Sequence, residues 1–113
     1  MKFIINDNPY LAKKVNADGC HLGQSDMDIK KARQIFKNKI IGITCHNSIK
    51  LSKKANKNNA DYIAIGAFNK SKTKKIKHTV TIEQLKKIRK ISKKPIVAIG
   101  GVNHKNYKKL LLN

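Results

Sequence analysis

The stretch "NNADYIAIG" (58–66) repeats a pattern met earlier in "NADGCHLG" (16–23): Ala60 matches Ala17, Asp61 matches Asp18 and Gly66 matches Gly23, each 43 residues apart. In both copies a short polar turn enters an apolar run, and the run leaves at a glycine. A repeat placed in this way signals recurrent βα units. Apolar runs of the same kind occur at "KFIIN" (2–6), "GCHLG" (19–23), "IIGIT" (40–44), "YIAIG" (62–66) and "PIVAIGG" (95–101). Such runs read as strands buried on both faces.

The segments between them have a helical period. "MDIKKARQIFKN" (27–38) sets Ile29, Ala32, Ile35 and Phe36 on one stripe, and "TIEQLKKIRKIS" (81–92) does the same with Ile82, Leu85, Ile88 and Ile91. Stripes of this width belong to amphipathic helices that cover a sheet. Residues 48–58 form a weaker helix, "PYLAKKV" (9–15) gives barely two turns, and a fifth helix follows Gly101. Alternating strands and helices joined by short connections make parallel βαβ units. Five strands and five helices suit either a flavodoxin-like sheet or five of the eight units of a (β/α)₈ barrel.

Composition narrows the function. The 113 residues form one domain, with a formal net charge of +20. That charge suggests a polyanionic partner. However, only Arg33 and Arg89 among the 26 basic residues are arginine, the residue suited to bidentate phosphate and guanine contacts. The lysines are spread over nearly every segment, as on solvated helix faces. The aromatics Phe3, Tyr10, Phe36, Tyr62, Phe68 and Tyr107 are scattered, which argues against a specific nucleic-acid surface. Cys20 and Cys45 form no CxxC pair and suit a reducing compartment. Each is followed by His, but neighbouring strand residues point to opposite faces, so neither pair chelates one zinc ion easily. No run approaches the ~18 apolar residues of a membrane span and no signal peptide opens the sequence, so the expected location is the cytoplasm.

Ligands of parallel α/β folds bind beyond the carboxyl ends of the strands. Asp7 and Asp26 fall there, after the first and second strands. Asp26 reads either as the cap of a helix starting near Met27 or, with Asp7, as a Mg²⁺ ligand sharing the ion with substrate phosphates. In "NKSKTKK" (69–75), the hydroxyls Ser71 and Thr73 flank Lys72 and Lys74 follows. Hydroxyls, backbone N–H groups and one ammonium suit a phosphate. Gly100 and Gly101 end the last strand and permit close backbone approach to an anion.

The ordered motifs "FIIND" (3–7), "ADGCHLGQSD" (17–26), "IIGITCH" (40–46), "ADYIAIGAFNKSKTKK" (60–75) and "PIVAIGGV" (95–102) resemble those of the thiamine phosphate synthase (TenI-like) family over nearly the whole chain. The resemblance implies a partial TIM barrel, from the third strand to the seventh. It implies a transferase that joins hydroxymethylpyrimidine diphosphate to a thiazole phosphate and releases pyrophosphate. Asp7 and Asp26 would be Mg²⁺ ligands, and Asn6 and Thr44 would contact the pyrimidine diphosphate. Ser71 and Thr73 would hold the thiazole phosphate, aided by the backbone of Gly100 and Gly101, while Lys74 would act on the diphosphate. Thr44 and Lys74 would thus carry the catalytic roles.

Relatives in the same barrel group catalyse a thiazole tautomerisation, for which His46 would be the acid–base group. The family's first two strands and its eighth have no counterpart in these residues. The domain therefore reads as incomplete at both ends: a fragment, a remnant or one piece of a split enzyme. Self-association or a partner chain would supply the missing strands.

Overall fold

A computed structural model of the chain describes residues 1–66 and 80–100. Five parallel strands, β1 (Ile4–Asn6), β2 (Gly19–Leu22), β3 (Ile40–His46), β4 (Tyr62–Ile65) and β5 (Ile96–Ala98), lie in the order β1-β2-β3-β4-β5. Four helices alternate with them: α1 (Pro9–Lys14), α2 (Ile29–Ile35), α3 (Ile49–Lys57) and α4 (Ile82–Ile91). Every crossover steps one strand in the same direction. A flavodoxin-like sheet would reverse its order part-way, so the topology is that of a barrel arc. The fifth helix expected after Gly101 lies outside the described residues.

Strand alternation divides the molecule. Cys20, Leu22, Ile41, Cys45, Ile63 and Ile65 are buried with Ala12, Ile29, Ala32, Ala55, Leu85 and Ile88 of the helices. They form one hydrophobic core among the described residues. The opposite, concave face carries Ile4, Asn6, His21, Thr44, Tyr62, Ala64, Val97 and Ile99 around an open cavity of about 530 Å³. The expectation of strands buried on both faces is therefore met only on the helix side. On the concave side Val97 and Ile99 remain 42% and 39% exposed.

The internal repeat is a repeated structural device. Asn16 and Asn59 end α1 and α3 with φ of 53° and 60°, a left-handed conformation that Asn tolerates. Ala17 and Ala60 follow with no exposed surface, since their amides return to Ala12 and Ala55 of the helix just ended. Asp18 then accepts the Phe3 N–H at 2.7 Å, and Asp61 accepts the Ile41 N–H at 2.8 Å. Each aspartate thus fastens the entrance of its strand to the strand before it. Their place at the amino ends of the strands makes them structural groups, on the face of the barrel away from the ligand side.

Candidate active site

The carboxyl end of β1 turns sharply at Asp7, whose φ is 71° while its N–H donates to the His21 carbonyl of β2 at 2.8 Å. A non-glycine residue held in this region commonly marks a functional site. After β2, the Asp26 carboxylate turns back and accepts the Gly23 N–H at 2.7 Å. A Cβ on residue 23 would stand only 2.9 Å from that carboxylate oxygen, so glycine keeps the approach open.

This geometry corrects one expectation. Asp26 does not cap the following helix; Asp28 does, accepting the Lys30 N–H at 3.1 Å. Two acidic residues separated by Met27 compete for the cap, and α2 starts at Ile29, which selects the second. Asp26 is left facing Asp7.

The two carboxyls are near enough to perturb each other. The hydrogen bond with Asp26, helped by partial desolvation and by repulsion from the same carboxylate, raises the Asp7 pKa. Carboxylates this close are relieved by a shared proton or by a cation. Two hard oxygen donors fit a hard divalent ion that completes its shell with water and ligand oxygens. No group of three or more His, Cys, Asp or Glu able to hold a metal occurs among the described residues. An ion at Asp7 and Asp26 would therefore depend on the ligand for further oxygens.

Beside the acidic pair, the cavity wall carries a hydrogen-bonded chain. His21 Nδ1 meets the Tyr62 hydroxyl at 2.8 Å, and Nε2 meets Thr44 Oγ1 at 2.7 Å. The His21 and Tyr62 rings stack with centroids 5.6 Å apart. Gly42 of β3 makes room for this arrangement, because a Cβ there would come within 1.9 Å of the Tyr62 ring. Gln24, in the loop after β2, donates to the Thr44 carbonyl. A register shift between Thr44 and His46 disturbs the β3–β4 ladder at the same level. Bulges of this kind re-aim side chains near active sites.

Of the sequence-predicted residues, Asn6, Asp7 and Thr44 line the cavity, whereas Asp26 lines a smaller neighbouring cavity with Gly23 and Leu51 and reaches the site only by its influence on Asp7. Gly100 follows β5 with φ of 75°. Ser71, Thr73, Lys74 and Gly101 lie outside the described residues. His46, proposed for acid–base work, ends β3 with φ of 54° and is not among the residues lining the cavity. His21 and Tyr62 were not singled out as site residues. The signal was present: in "GCHLG" burial of Cys20 toward the helices turns His21 to the other face, and in "YIAIG" burial of Ile63 does the same for Tyr62.

Comparison with known proteins agrees with this fold. The family model described as thiamine monophosphate synthase matches residues 1–113. A thiamine-phosphate synthase of Pelagibacter ubique is 65% identical over 113 residues, all of this chain and 55% of the relative. The corresponding protein of Alcanivorax borkumensis is 46% identical over 96% of this chain and 51% of its own length. A solved structure, thiamine phosphate pyrophosphorylase from Pyrococcus furiosus, superposes with a TM-score of 0.87 at 35% identity. It is matched over 98% of this chain and 52% of its own. The chain thus spans about half the length of the relatives it matches.

Proposed function

The chain belongs to the thiamine monophosphate synthase family, and on that premise we propose that it carries the pyrimidine diphosphate side of a synthase site. The reaction joins hydroxymethylpyrimidine diphosphate to a thiazole phosphate and releases pyrophosphate. The observation that carries this reading is the Asp7–Asp26 pair at the carboxyl ends of β1 and β2, next to the cavity lined by Asn6 and Thr44.

In this reading Asp7 and Asp26 would hold Mg²⁺ through their carboxylate oxygens. A bound Mg²⁺ supplies charge neutralisation for the diphosphate. Asn6 and the Thr44 hydroxyl orient the pyrimidine ring. Ser71, Thr73 and the backbone of Gly100 and Gly101 bind the thiazole phosphate, and the Lys74 ammonium stabilises the departing diphosphate. The carbon–oxygen bond to the diphosphate breaks, and the thiazole nitrogen donates its electron pair to the resulting pyrimidine-methyl cation. No side-chain nucleophile takes part, so catalysis is positioning and electrostatic stabilisation. The two free cysteines suit action in a reducing cytoplasm.

The assay is pyrophosphate release by the purified chain supplied with both substrates, beside Asp26→Asn. Release by the wild-type chain and its loss in the variant support the reading. Equal signals from the two proteins sink the metal role, and no release from either shows that these residues do not suffice.

A further inference from the structure

The chain Tyr62–His21–Thr44 is more than a packing contact. Both ring nitrogens of His21 are used, each on a hydroxyl, at 2.8 and 2.7 Å. A neutral imidazole has one donor and one acceptor nitrogen, so only two arrangements satisfy it. In one, Tyr62 donates to Nδ1, and Nε2–H donates to Thr44 Oγ1. In the other, Nδ1–H donates to Tyr62, and the Thr44 proton is spent on Nε2.

Phenol is the more acidic hydroxyl and the better donor, which favours the first arrangement. Imidazole is mostly neutral at pH 7, which leaves the ring one donor and one acceptor nitrogen. The ring stack and the space left by Gly42 hold the geometry.

We propose that His21 is a positioning residue: Tyr62 fixes it as the Nε2–H tautomer, and it anchors the Thr44 oxygen so that the Thr44 proton is free to donate into the cavity. The chain thereby converts a rotatable hydroxyl into an aimed hydrogen-bond donor. Its use on a pyrimidine ring nitrogen or diphosphate oxygen rests on the function proposed above. Its tautomer does not.

Two measurements separate these claims. In long-range ¹H–¹⁵N spectra of histidine-labelled chain, His21 is assigned from the signal lost in His21→Gln. The expected pattern is a protonated Nε2 and a bare Nδ1, with the Nδ1 shift moving in Tyr62→Phe. A protonated Nδ1 in the wild-type chain overturns the proposal, whatever the ligand.

The second measurement is calorimetric titration with hydroxymethylpyrimidine diphosphate and Mg²⁺. Losing one such hydrogen bond costs about tenfold in affinity, so Thr44→Val and His21→Leu each weaken binding by that factor. The double variant is no weaker than either single one, and His21→Gln, which returns an N–H donor, recovers most of the loss. Losses that multiply overturn the positioning role. A wild-type chain that binds none of this ligand overturns the functional reading, while the spectra still decide the tautomer.

Discussion

Asp18 accepts the Phe3 N–H at 2.7 Å on one side of the arc, and Asp61 accepts the Ile41 N–H at 2.8 Å two strands away. The same bond made twice explains why the sequence repeats. It also sets an acid limit. The bond from Phe3 lowers the Asp18 pKa from its ordinary 3.8. A carboxylate with a depressed folded-state pKa contributes stability that is present above its unfolded value and lost as pH falls through the folded one. Asp18→Asn should therefore lower stability at neutral pH and flatten its fall below about pH 4, where the variant and the wild-type chain converge. Urea unfolding across that range checks it, and an unchanged acid limb in the variant contradicts it.

Arg33 ties three elements together. Its guanidinium donates to the Asp61 carboxylate at 2.8 Å, the Lys39 carbonyl at 2.7 Å and the Asn59 carbonyl at 3.1 Å. The ion pair itself is partly exposed and adds little, but the fork to backbone carbonyls needs arginine. Arg33→Lys should destabilise by about 1–2 kcal/mol and should do so nearly equally at low and high salt. A loss that disappears in high salt would assign the effect to the ion pair alone.

Gly42→Ala should be costly despite its single added carbon. Its Cβ would meet the Tyr62 ring within 1.9 Å, so the ring must move and His21 loses its partner. Overpacking of this kind typically costs about 1–3 kcal/mol. The cost should largely vanish in a Tyr62→Ala background, where the ring is absent. Thermal unfolding of the two singles and the double decides this, and simple additivity is the contrary result.

Much of the fold was legible because βα units write their periods into the sequence. The apolar stripes of α2 and α4 and the five apolar strands sit where the pattern puts them. The boundaries were less legible. "PIVAIGG" yields only Ile96–Ala98 as strand, and α2 waits for Asp28 as its cap. Whether a strand face is buried depends on what lies opposite, which a single run of residues does not encode. The acidic pair was visible from its position after two consecutive strands. The His21 relay was not, because its partners on β3 and β4 lie 23 and 41 residues away in sequence. Such a bond exists only after the strands have paired in register.

The central claim is that Asp7 and Asp26 make one cation-dependent diphosphate site. Calorimetric titration of the chain with hydroxymethylpyrimidine diphosphate, with and without Mg²⁺, tests it most directly. The account predicts that Mg²⁺ tightens binding by at least about tenfold, or ~1.4 kcal/mol, and that Asp26→Asn abolishes this gain. The amide keeps an acceptor for the Gly23 N–H, so the variant should unfold at an unchanged urea concentration. Binding that ignores Mg²⁺, or a gain that survives in Asp26→Asn, would contradict the account.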